Sequence, residues 1–170
     1  MVATTSTRST LPAGSEPGVS AGCTSFKLHR LARLVGRRYD AQLAGAGLTT
    51  PQYSLLNHVR RLGPVRPVDL AHAMGLSPST LTRNLQPLVD AGWLAVSSGP
   101  DARSRRLQLT ESGEARRRAA RQHWRQAQGA IDELLGVENV AQLHALLDHY
   151  AECLAEHTTE NRADARVAGR

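Results

Sequence analysis

The chain has 170 residues, of which 41% are hydrophobic and only 4% aromatic; this suits one domain with a sizeable core and leaves too few ring platforms for binding single strands by base stacking. A formal net charge of +6 favours a polyanionic partner. Two cysteines make no disulfide framework, no apolar run reaches membrane-spanning length and no signal-peptide core follows the start, so a cytoplasmic protein without membrane attachment is expected.

Residues 1–20 are rich in Ser, Thr, Gly, Pro and Ala without periodicity and read as a disordered tail. A helix is expected from about Cys23 to Ala44, with Phe26, Leu28, Leu31, Val35, Tyr39 and Leu43 at 3–4 spacing and Lys27, Arg30, Arg33, Arg37 and Arg38 around them. Gly45-Ala46-Gly47 ends it. Thr49 or Thr50 caps the next helix, Pro51 sits in its first turn, and Tyr53, Leu55, Leu56 and Val59 face inward. Pro64-Val65-Arg66 reads as a short extra strand.

Pro67 to Met74 carries a short helical pattern with Val68, Leu70, Ala71 and Met74 apolar. Gly75 breaks it. Ser77 then caps a second helix with Pro78 in its first turn, and Gly92 stops that helix after about Ala91. Two short helices joined by a tight glycine turn form a helix-turn-helix. On the second, Leu81, Leu85 and Leu88 pack inward. Ser77, Ser79, Thr80, Thr82, Arg83 and Gln86 are left as candidate contacts to phosphates and base edges, Arg83 suiting guanine and Gln86 adenine. Any one of these positions also fits a solvated helix surface. Pro87 is expected to kink the helix near Arg83, beyond its base-reading half.

Trp93-Leu94-Ala95-Val96 and Arg106-Leu107-Gln108-Leu109 read as two strands of a hairpin, and Gly99, Pro100 and Asp101 as turn formers between them. Arg103, Arg105 and Arg106 make the tip basic, so the hairpin supplies a second, independent sign of DNA binding. The fold class expected is mainly α with a small β-hairpin wing: a winged helix-turn-helix, about residues 48–110, between long terminal helices.

The run DARSRRLQLTESG, Asp101 to Gly113, resembles the wing signature of the MarR family of bacterial transcription regulators, an acid and arginines leading into L-x-L-T-x-x-G. The resemblance extends over roughly Cys23 to Ala155 and includes the L-T-x-x-Q start of a helix at Leu48 to Gln52. It implies that Arg103 enters the minor groove and that Asp101 pairs with Arg105 to shape the loop. It also implies that the terminal helices, about 23–44 and 111–157, intertwine into a homodimer on a palindromic double-stranded operator, with repression as the usual outcome. Two-fold symmetry then sets half-sites about one helical turn (~34 Å) apart.

After the wing, Thr110 caps a helix carrying Glu111 and Glu114 in its first turn and running to about Leu135. Arg116, Arg117, Arg118, Arg121 and Arg125 read as its solvated face, those near the start within reach of phosphate. Gly136 breaks it. A last helix comes next, from about Asn139 to Glu156, with Val140, Leu143, Leu146, Leu147, Tyr150 and Leu154 apolar, and residues 158–170 read as a polar tail. The terminal helices are longer than the winged helix can cover, and a second copy is the simplest partner.

Three sensing chemistries suggest themselves. The family resemblance implies a small aromatic or phenolic acid bound between dimer helices and winged helix, for which Phe26, His29, Arg33 and Tyr53 are candidates. A redox reading uses Cys23 as a reactive thiol at a helix start near Lys27, or paired with Cys153 of a second copy. The family's peroxide-sensing branch holds its cysteine with two tyrosines. Tyr39 matches one of these, but Thr50 stands at the other and Ser25 at the cysteine position. His149, Cys153 and His157 share a helix face but span more than ~10 Å, too far for all three to hold one ion, so no metal and no cofactor is expected. No phosphate loop, G-x-S-x-G or histidine–carboxylate cluster supports an enzyme. A non-specific architectural winged-helix protein is the remaining alternative.

Overall fold

The computed structural model of the protein describes residues 22–98 and 105–168, with side chains to residue 157. Helices α1 (Thr24–Leu43), α2 (Thr50–Leu62), α3 (Pro67–Ala73) and α4 (Pro78–Asp90) are followed by strands β1 (Leu94–Ser98) and β2 (Arg105–Leu109), then by helices α5 (Glu111–Leu135) and α6 (Val137–Ala168). The chain divides into two units, one ending at Val35 and one beginning at Gly36. In the first, residues 22–30 are exposed, including Phe26 at 47% and Leu28 at 47%.

The second unit is set by its helix ends. Gly47 takes φ +64° after a short 3-10 turn at Ala44–Ala46, a conformation that costs glycine little. Thr49 then caps α2 through a reciprocal pair with Gln52: Thr49 N donates to Gln52 Oε1 at 2.9 Å and Gln52 N to Thr49 Oγ1 at 3.4 Å. Asp40 accepts from both Thr50 N (2.7 Å) and Thr50 Oγ1 (2.6 Å). Ser77 caps α4 by accepting from Thr80 N at 3.2 Å. The helix runs unbroken through Pro87 to Asp90.

The hairpin pairs Leu94 with Leu109 and Ser98 with Arg105. The extra strand expected at Pro64–Arg66 is reduced to one bridge, Val65 to Leu107, with N–H to O distances of 3.0 and 2.8 Å. The core is mostly aliphatic: Leu43, Leu55, Leu56, Val59, Leu70, Leu81 and Leu88 are fully buried, and Leu85, Leu94, Leu107 and Tyr53 join them. Val68, one of the apolar positions of the α3 pattern, is 60% exposed; seven residues of α3 bury only Leu70 and Ala71.

α5 buries Gly113, Ala120, Ala127 and Ile131; Ala120 joins this core, and the small residues Gly113, Ala120 and Ala127 recur at heptad spacing along the helix. α6 departs from expectation by running twelve residues past Glu156, to Ala168. No glycine or proline stands between Gly136 and Gly169, so nothing local stops the helix. Among its described side chains only Val140 is buried; Leu146, Leu147 and Tyr150 are exposed.

Candidate nucleic-acid interface

Burial of Leu81, Leu85 and Leu88 fixes which face of α4 is turned outward. Ser77, Ser79, Thr82, Arg83 and Gln86 are exposed there and Thr80 is half-buried. Several of these side chains are held by their own helix. Ser77 Oγ lies 3.1 Å from Ser79 Oγ and 2.8 Å from Thr80 Oγ1. Thr82 Oγ1 donates to the Pro78 carbonyl at 2.9 Å, and Gln86 Nε2 donates to Asp90 Oδ1 at 2.7 Å. The hydroxyl and amide oxygens keep lone pairs for an incoming donor.

A cleft of about 650 Å³ separates α4 from the hairpin, and Thr82, Gln86, Ser97, Ser98 and Arg105 line it beside Leu85 and Val96. The structure thus brings Thr82, Gln86 and Arg105, three residues singled out from the sequence, onto one concave surface. Arg106 is turned elsewhere, its Nη1 donating to the Pro64 carbonyl at 3.0 Å. Asp101 and Arg103, and with them the expected Asp101–Arg105 pair, lie outside the described residues. At the start of α3 Arg66 grips Asp69 with two bonds of 2.7 Å. That hydrogen bonding, ahead of the surrounding positive charge, holds the Asp69 carboxyl below its ordinary range.

The junction between the wing and α5 was not legible locally. The first turn of α5 closes on the turn after α4: Thr110 Oγ1 and Ser112 Oγ both donate to the Gly92 carbonyl, at 2.7 and 2.9 Å, and Thr110 N donates to Trp93 O at 3.2 Å. A Cβ on Gly113 would lie 2.0 Å from Trp93 O, so the glycine that ends the wing signature is required by contact. Arg116 and Arg117, read as part of a solvated face, point inward instead. Arg116 Nη1 donates to Ala46 O at 2.9 Å while its guanidinium lies 4.9 Å from the Trp93 ring centroid. Arg117 bonds both Glu114 oxygens, at 2.9 and 2.8 Å, and Asn57 Oδ1 at 3.3 Å. Hydrogen bonding from Arg117, reinforced by the charges of Arg60 and Arg118, lowers the Glu114 pKa to about 2. Arg118, Arg121 and Arg125 are exposed as expected.

Among the sensing candidates, Phe26, His29 and Arg33 are exposed on the first unit, where His29 Nδ1 donates to Ser25 O at 2.8 Å. Tyr53 is buried in the second unit, its ring 6.5 Å from that of Trp124. Cys23 is an exposed thiol and Cys153 a half-buried one, 3.8 Å from His149 Nε2. The Tyr39 hydroxyl donates to Gln128 Oε1, and burial, then Asp132, raises its pKa. Among the described residues no three His, Cys, Asp or Glu side chains gather to hold a metal ion, and no helix is long and apolar enough to cross a membrane.

A sequence model of the MarR family matches residues 46–104. The solved M. tuberculosis transcriptional regulator MosR, in complex with DNA, is similar with a TM-score of 0.67 at 33% identity, covering 78% of this chain and 98% of that one. PecS, an HTH-type transcriptional regulator of Dickeya dadantii, is 32% identical over 90 residues, 51% of this chain and 54% of PecS. YwoH, an uncharacterised HTH-type transcriptional regulator of Bacillus subtilis, is 28% identical over 88 residues, 52% of this chain and 64% of YwoH. The match thus spans less than two thirds of either of these two proteins. All three relatives are transcriptional regulators.

Proposed function

The chain belongs to the MarR family of winged helix-turn-helix transcription regulators, and on that premise we propose that it is a cytoplasmic repressor that binds a palindromic DNA operator as a homodimer. The observation that carries this reading is the single concave surface shared by Thr82 and Gln86 of α4 and Arg105 of the wing, beside exposed Ser79 and Arg83. α4 enters the major groove, where Arg83 reads guanine and Gln86 exchanges its bond to Asp90 for an adenine edge. Arg103 enters the adjoining minor groove. Arg106, with one Nη1 bond to the Pro64 carbonyl, keeps its other donors for phosphate.

Dimerisation is supported by the large side chains one copy leaves uncovered: Phe26, Leu28 and Leu34 on α1, Leu134 and Leu135 on α5, and Leu146, Leu147 and Tyr150 on α6. Release results from binding a small aromatic or phenolic acid that favours a dimer whose α4 spacing no longer fits the operator. The exposed thiol of Cys23 supports a second trigger, oxidation, without a metal or cofactor.

The deciding experiment is competition at physiological salt between a labelled palindromic fragment taken from beside the gene and random duplex. Preference for the palindrome by about a thousandfold or more is expected. Equal affinity would mean an architectural DNA-binding protein instead.

A further inference from the structure

We infer that Arg116 is a positioning residue for DNA recognition, the side chain that sets which half-site spacing the dimer accepts. The inference rests on the dimeric reading above. Thr110 and Ser112 tie α5 to the end of α4, but both hydroxyls meet at one atom, the Gly92 carbonyl oxygen. With Thr110 N donating to the adjacent Trp93 carbonyl, these ties cluster close to a single axis, so a tie further along α5 resists rotation about it with a longer lever.

Arg116 supplies a fixed point away from that axis. Its position is about one helical turn further along α5, roughly 5 Å from the hydroxyl pair. There it bonds Ala46 O, in the loop before α2, at 2.9 Å, and covers the ring of Trp93, the residue that leaves the α4 turn, at 4.9 Å. Glycine at position 47 takes φ +64°, and the Arg116 Nη1 lies against it, 3.4 Å from where a Cβ would stand. One side chain therefore joins α5 both to the turn ahead of α2 and to the turn that leaves α4.

The magnitude shows why so small a joint matters. α5 has 25 residues and is about 37 Å long at ~1.5 Å per residue. Play of about 5° at its start displaces its far end by roughly 3 Å, close to the ~3.4 Å step between base pairs. A loose joint would therefore let the two copies of α4 settle on half-sites one base pair too near or too far. A tight joint commits them to one separation.

The test uses the full-length protein and palindromic duplexes built from the half-site that wild type selects, with the half-sites moved together or apart by one and two base pairs. Wild type is expected to prefer one spacing about tenfold over its neighbours. Arg116→Gln should bind neighbouring spacings within about twofold of the best one and leave affinity for a single half-site unchanged within about twofold, with Arg116→Lys in between. Leu55→Val, a core change in α2, serves as the stability control and should retain the wild-type profile at a lower Tm. An unchanged profile in Arg116→Gln overturns the inference. So does an equally broadened profile in Leu55→Val, or failure of both Arg116 variants to fold, which would make Arg116 a support of the fold alone. No spacing preference in wild type would instead remove the dimeric reading on which the inference stands.

Discussion

A carboxylate gripped by three guanidinium groups makes part of this fold's stability depend on pH. Glu114 has its pKa lowered from an ordinary 4.5 to about 2, first by the hydrogen bonds of Arg117 and then by the charges of Arg60 and Arg118. A folded pKa below the unfolded one binds fewer protons, so its stabilisation is complete above about pH 4.5 and disappears as pH falls towards 2. Glu114→Gln should therefore lower Tm at neutral pH and flatten the fall of Tm between pH 4.5 and 2, read by circular dichroism melts. At the DNA surface, Arg83→Ala should cost about 1–3 kcal/mol on the preferred operator and relax preference at one base position, whereas Arg103→Ala should weaken all sequences alike and reduce the salt slope by about one. Binding isotherms on a set of single-base operator variants at two salt concentrations separate the two; identical profiles for both variants would show the assignments to be wrong.

At the scale of elements, the seam between the α4 turn and α5 makes the strongest prediction. Gly113→Ala places a methyl 2.0 Å from the Trp93 carbonyl oxygen, which is held by Thr110 N and by the two hydroxyl bonds on the neighbouring Gly92 carbonyl. Overpacking of this kind costs about 1–3 kcal/mol. Thr110→Ala removes both the cap on Gly113 N and the bond to Gly92 O, at a cost of about 1 kcal/mol for the cap alone. Each should lower Tm by several degrees in a scanning calorimeter; a Gly113→Ala melt matching wild type would mean that the seam yields freely. The helix ends here were legible in the sequence because capping is local: Thr49, Ser77 and Thr110 stand beside the amides they cap. The inward turn of Arg116 was not, because its partners lie at 46 and 93 and a long side chain's reach leaves no trace in spacing. The exposure of Val68 was hidden for a related reason, since a helix as short as α3 turns only two residues to the core whatever its apolar count.

For the whole molecule, the core was written plainly in leucine spacing, while the exposed apolar side chains of α6 bear on the proposed dimer. Leu146→Glu with Tyr150→Glu, both exposed in one chain, should leave the protein folded but halve the mass of the sedimenting particle and abolish tight operator binding; a dimer persisting in that variant would place the interface elsewhere. The seam beyond α4 also governs how opening is distributed through the protein. Surface turns ordinarily exchange their amide hydrogens within moments, and Ala91 and Gly92 are exposed. Yet Ala91 N, Gly92 N and Trp93 N are each bonded, to the carbonyls of Pro87, Val89 and Leu88, and the hydroxyls of Thr110 and Ser112 close over the same turn. Deuterium should therefore enter this solvent-facing bend as slowly as it enters the leucine interior, only when the entire unit opens.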